Sequence, residues 1–130
     1  MFNQYIYIST APDLTREEVD VILASSARNN AERGISGLLL YNGRNFLQLL
    51  EGEEAQLVAL MTRIAHDPRH SGVSMLGRKE VDERACPNWA MRRIFVADSV
   101  EKRREALKAD LPEGLDAETR QLIMNFAVLN

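Results

Sequence analysis

The sequence predicts an α+β domain of the ferredoxin-like kind, a βαββαββ mixed sheet with two helices on one face and two C-terminal helices capping the other. Three observations lead there. Apolar runs with strand character recur at 4–10, 35–41, 45–51, 72–80 and 91–97. Amphipathic helical stretches follow the first and third of them. Turn residues of specific chemistry stand at the joints. In this topology the first and third strands are neighbours.

Residues 4–10 alternate, with Tyr5, Tyr7 and Ser9 on one side and Ile6 and Ile8 on the other. Thr15 and Glu18 form a capping box, in which hydroxyl and carboxylate each satisfy a free amide at a helix start. That helix runs to about Arg33 and ends on Gly34, a residue free to adopt the left-handed conformation. Its apolar stripe is Val19, Ile22, Leu23, Ser26 and Ala27, and the same spacing reaches Asn30. The pair Asn42-Gly43 between two apolar runs predicts a type I′ hairpin. A second helix runs from about Glu53 to Ala65 on Leu57, Leu60, Met61 and Ile64, and Asp67-Pro68 stops it, because the residue before a proline is pushed out of the α region. Two further strands follow, joined by an irregular segment with Pro87 and Trp89. Residues 99–109 and 116–128 then read as helices, with Leu107, Leu111, Leu122, Ile123, Phe126 and Leu129 as the stripe that would dock on the sheet.

The chain of 130 residues suits one domain. Residues 1–97 are expected to form the sheet domain and 98–130 a helical cap without a core of its own. Hydrophobic residues at 45% and charged residues at 27% are ordinary for a soluble protein, and a net charge of -3 argues against a nucleic-acid footprint. One cysteine, Cys86, allows no internal disulfide and no CxxC metal knuckle. The N-terminus lacks the regions of a signal peptide, and no apolar run is long enough to span a membrane. The expected setting is the cytoplasm.

Three polar residues stand where the pattern wants apolar ones. Gln48 interrupts a strand that should be buried, Asn30 lies on the apolar stripe of the first helix, and Tyr7 is central in the first strand. A buried amide without partners costs on the order of 1–3 kcal/mol, so each needs hydrogen bonds. They could satisfy one another or a backbone group. Three of them converging between one helix and two adjacent strands are better explained by a planar ligand with a polar edge. An isoalloxazine ring would suit: Asn and Gln give and take hydrogen bonds at once, and Ile22, Leu23, Leu39, Leu60 and Ile64 could form apolar walls. The pattern permits a flavin without naming one.

From Gln4 to Val96 the chain resembles the BLUF domain, a blue-light sensor using a flavin. The matching stretches are Tyr7-Ile8-Ser9, Asn30 to Leu39, Phe46-Leu47-Gln48-Leu49-Leu50-Glu51-Gly52, Asp67-Pro68-Arg69-His70 and Trp89-Ala90-Met91. The resemblance implies that Tyr7 is the photochemical electron and proton donor and that Gln48 lies between its hydroxyl and the flavin edge. It implies that Asn30 holds a flavin carbonyl and ring N–H, beside the apolar wall expected from Ile22. Arg69 and His70 would lie near the ribityl–phosphate end or the ring edge. Trp89 and Met91 would be a mobile pair near Gln48. Asn29 stands where some relatives carry a histidine that packs on the ring. The implied cofactor is FAD, with FMN or riboflavin as alternatives, and the implied output is a hydrogen-bond switch with no chemistry on a substrate.

Other sites are weaker. His66, His70 and Asp67 could bind a metal but lack further ligands, and Cys86 lacks a base nearby in sequence. Gly34 and Gly37 follow a helix instead of opening one, so they do not make a phosphate loop. Two other functions stay open: a flavin- or heme-dependent redox enzyme, and a regulatory module on a ferredoxin-like sheet with no chromophore. The colour of the pure protein separates the last from the others, and a photoshift without added reductant separates sensor from enzyme. No effector module is recognisable after Val96, so the chain resembles stand-alone family members that act through a separate partner protein. A homodimer or larger assembly through the sheet or the cap is expected.

Overall fold

The computed structural model describes residues 2–11, 14–68, 71–87, 89–95 and 100–129, with the backbone alone at 92–95, 100, 101 and 129. The elements are β1 (Phe2–Thr10), α1 (Arg16–Glu32), β2 (Ser36–Tyr41), β3 (Asn45–Gly52), α2 (Glu54–Ala65), β4 (Ser71–Val81), β5 (Arg92–Phe95), α3 (Val100–Asp110) and α4 (Ala117–Leu129). The sheet order is β4-β1-β3-β2-β5. Its first four strands pair antiparallel, and β5 joins β2 in parallel. This is the expected α+β arrangement, with β1 beside β3.

Local chemistry sets the boundaries. Thr15 accepts from the Glu18 amide and Glu18 from the Thr15 amide, both at 3.1 Å, so the capping box opens α1 as anticipated. Gly34 closes it at φ 67°. The hairpin turn differs from expectation. Asn42 and Asn45 close it backbone to backbone at 3.2 Å, so the central pair is Gly43-Arg44, with φ 94° at Gly43. Asn42 acts instead through its side chain, whose Oδ1 accepts from the amides of Arg44 at 3.0 Å and Asn45 at 2.8 Å. An Asx side chain that captures amides two and three residues ahead stabilises the turn without sitting at its apex.

Strand alternation divides the core in two. Ile6, Leu38, Leu40, Leu47 and Leu49 face one side and pack with Leu107, Leu111, Leu115, Ile123 and Phe126 of the C-terminal helices. Tyr5, Tyr7, Leu39, Phe46 and Leu50 face the other side and meet Val19 and Ile22 of α1 and Leu57 of α2. The helices α3 and α4 therefore cap the face opposite α1 and α2. Leu122 packs half-buried at the edge of that cap; the side chain of Leu129 lies outside the described residues. No helix among the described residues is long and apolar enough to cross a membrane.

Candidate functional site

Strand pairing puts the sequence-selected residues together. Tyr7 of β1 lies directly across from Gln48 of β3, which in turn faces Leu39 of β2. Cross-strand neighbours on one face have Cβ atoms about 5 Å apart, so the Tyr7 and Gln48 side chains rise side by side between α1 and α2. Asn30 projects from the last turn of α1 toward the same region. Its Nδ2 donates to the carbonyl of Ala90 at 3.0 Å, which fixes the amide and leaves its Oδ1 turned away from that bond.

Between the helices and the sheet lies a cavity of about 420 Å³, lined by Ile22, Ser25, Ser26, Asn29, Asn30, Gln48, Leu50, Leu60, Arg63, Ile64, His66 and Asp67. That volume falls in the range of about 300–1,000 Å³ usual for small-molecule sites. Of the anticipated walls, Ile22, Leu60 and Ile64 line it, whereas Leu39 is buried in the sheet and Leu23 packs half-buried at the edge of the same core. Sequence reasoning set Ser26 on the helix stripe but missed Ser25, Leu50 and Arg63 as lining residues. It read His66 and Asp67 as the end of a helix and, with His70, as a weak metal candidate, whereas both line this cavity. Arg69 and His70 lie outside the described residues.

Among the described residues, two side-chain polar atoms are buried without a protein partner: the Tyr7 hydroxyl and the Asn30 Oδ1. Such groups each cost about 1–3 kcal/mol, and native folds rarely leave two of them together. Burial pushes the Tyr7 phenol well above the usual tyrosine range, and the Asp67 carboxylate adds to the push. Tyr7 is thus held neutral as an O–H donor. Gln48 does not meet that hydroxyl. Its Nε2 points at the Met91 sulfur, 3.8 Å away, a weak acceptor that a modest rotation of the amide would abandon.

Met91 and Trp89 part at the sheet. Met91 is buried with Tyr7 and Ile22, while Trp89 packs against the core under the C-terminal cap. Of the pair expected near Gln48, one approaching as the other leaves, Met91 is the one beside it, and Trp89 packs on the opposite face of the sheet.

A donor phenol, an acceptor amide oxygen, a reorientable glutamine and an apolar-walled slot fit the pyrimidine edge and ring of an isoalloxazine. The fold and site define a flavin-binding α+β module. A family model described as BLUF, sensors of blue-light using FAD, matches residues 2–92, and the chain belongs to that family of blue-light flavin sensors. It is 36% identical over 88 residues to the photoactivated adenylate cyclase subunit beta of Euglena longa, a match covering 67% of this chain and 10% of that protein. The chain therefore spans about a tenth of the length of the curated relatives it first matches. Klebsiella pneumoniae BlrP1 with FMN and cyclic diGMP superposes with a TM-score of 0.82 at 29% identity, over 98% of this chain and 34% of that one. The dark-state structure of BlrB, a BLUF protein, gives 0.72 at 28% identity over 96% of both chains. Those likenesses extend across the C-terminal cap.

Proposed function

We propose that Tyr7 and Gln48 read the excitation of a flavin held between α1 and α2, and that the segment with Trp89 and Met91 passes the result to the C-terminal cap. The observation that carries this reading is the Tyr7 hydroxyl, buried without a partner and directly across the sheet from Gln48. When bound, a flavin supplies a strong one-electron oxidant on absorbing blue light. Tyr7 can give up an electron and its proton together, and the Gln48 amide, which both donates and accepts, can relay that proton. When the electron and a proton return to Tyr7, Gln48 is left rotated or as its imidic tautomer, and its link to Met91 changes with it. Asn30 would accept from the ring N–H through Oδ1 and give its second amide hydrogen to a ring carbonyl. Ile22 and Met91 would pack on the ring. Arg63 and His66 line the cavity and could meet a ribityl–phosphate end, the role the family likeness implies for Arg69 and His70.

FAD is the cofactor proposed, with FMN and riboflavin also able to supply the ring. The chain itself turns over no substrate in this reading. It works in the cytoplasm, on a separate effector protein and as a dimer or larger assembly. Residues 1–97 are the photosensory domain and 98–130 the cap that transmits. The test is an absorption spectrum of the flavin-loaded chain before and after blue light, for wild type and for Gln48→Leu. Both should show a flavin, with a reversible red shift in wild type alone. A full shift in Gln48→Leu would remove Gln48 from the mechanism.

A further inference from the structure

Glu51 is fully buried, and the photochemical reading does not use it. It stands on β3 three residues after Gln48, so its side chain faces the cap side of the sheet. A buried carboxylate is costly unless several donors meet it. Here the donors are Gln4 Nε2 at 3.0 Å, the Ala85 amide at 2.9 Å and the Cys86 amide at 2.7 Å. The Cys86 thiol donates as well, and its proton is held well beyond the usual thiol range by burial, by the Glu51 charge and by this bond. Arg84 braces the same strand pair, donating to Ser36 Oγ at 3.0 Å and to the Glu51 carbonyl at 3.3 Å.

These bonds lead in two directions. Ala85 and Cys86 begin the segment that ends at Met91. Farther along it, the Trp89 carbonyl accepts from Gly37 at 2.8 Å and the Ala90 carbonyl from Asn30 at 3.0 Å, and Met91 meets Gln48. In the other direction, Gln4 Oε1 accepts from the Thr119 hydroxyl at 3.3 Å, in the first turn of α4. Thr119 is held in turn by Lys79 at 3.0 Å, by its amide bond to Asp116 at 2.8 Å, and by the Lys79–Asp116 ion pair.

We infer that Glu51 is a positioning residue that clamps the Trp89–Met91 segment and, through Gln4 and Thr119, ties it to the start of α4, so that displacement of the segment reaches the cap along a hydrogen-bonded line. This rests on the reading of Tyr7 and Gln48 as the light-reading pair. Transmission requires that the two states differ in contact energy with the cap. A line anchored on a buried carboxylate supplies such a difference, because its charge-assisted bonds cannot slacken without exposing unpaired groups.

The test has two arms. Cys86 is the only cysteine and is fully buried, so its modification by a small disulfide reagent in the dark reports opening of the segment. Glu51→Gln puts an amide hydrogen against donors that need an acceptor, and modification should quicken about tenfold or more with the flavin spectrum kept. An unchanged rate would overturn the clamp. In the second arm, Thr119→Val cuts the line beyond Gln4 without touching the segment. Its photoshift should be normal, while the light-dependent change in hydrogen exchange across 100–129 falls several-fold from wild type. A normal photoshift with the full exchange change would overturn the line to α4, as would a wild type that photoshifts with no exchange change in the cap. If Glu51→Gln does not fold, the second arm decides alone. A wild-type chain without any photoshift would instead defeat the reading of Tyr7 and Gln48, leaving the dark thiol measurement to judge the clamp.

Discussion

Replacing Tyr7 by Phe removes one oxygen, and in the flavin-free chain that oxygen has no partner to lose. The hydroxyl is fully buried and unpaired. Stripping it of water without a compensating bond costs about 1–3 kcal/mol, and Phe avoids that cost while filling the same slot. The flavin-free Tyr7→Phe chain should therefore be more stable than wild type by about 1–2 kcal/mol. With a urea slope of about 1–3 kcal/mol/M, the unfolding midpoint should rise by roughly 0.3 to 2 M. Flavin should shrink or reverse the difference, since a phenol that finds its acceptor gains about 0.5–1.5 kcal/mol that Phe cannot. Urea titrations of both chains, with and without flavin, read both signs. If Tyr7→Phe destabilised the flavin-free chain by more than about 1 kcal/mol, the hydroxyl would already be satisfied within the protein, and the argument from an unpaired phenol to a ligand would fail.

The same phenol gives a pH signature. Its proton is held more tightly in the folded than in the unfolded chain, so its contribution to stability is complete below the ordinary tyrosine range. That contribution is lost as pH climbs above it, by up to about 1.4 kcal/mol per pH unit. Wild type should lose stability faster than Tyr7→Phe on alkaline titration, and parallel curves would contradict the burial argument. Asn30→Ala removes both the unpaired Oδ1 and the bond to Ala90, and should weaken flavin retention about tenfold or more in a dialysis assay; unchanged retention would place the ring elsewhere. At Gly37 a Cβ would collide with the backbone carbonyl of Leu49. Gly37→Ala should thus break the β2–β3 ladder and cost at least about 3 kcal/mol, measured as loss of a cooperative folding transition.

Much of this architecture is legible from local signals. The capping box and the two apolar helical stripes lie within a few residues of the features they explain, and they placed α1 and α2 nearly to the residue. Strand alternation likewise assigned Tyr5 and Tyr7 to one face and Ile6 and Ile8 to the other. The errors arose where a side chain competes with the backbone or where partners are distant in sequence. Asn42 looks like the apex of its turn because Asn-Gly pairs often are, yet its side-chain amide bonds shift the apex to Gly43-Arg44. Glu51 looks like the frayed end of an apolar strand, followed as it is by Gly52, Glu53 and Glu54. Only the sheet register reveals that Gln4, Glu51 and Ser36 stand in one row across three strands on the cap face. Its other donors come from an irregular segment with no period to read. The opposite placements of Trp89 and Met91 were hidden for the same reason.

The central claim is that the Tyr7 hydroxyl, set beside Gln48, reads the light absorbed by a flavin. The most direct test is the light-minus-dark absorption spectrum of flavin-loaded wild type and Tyr7→Phe, recorded without added reductant. A small red shift that reverses in the dark is expected in wild type, with a flavin spectrum but no shift in Tyr7→Phe. A normal shift in Tyr7→Phe, or a flavin-loaded wild type that does not respond to blue light, would contradict it.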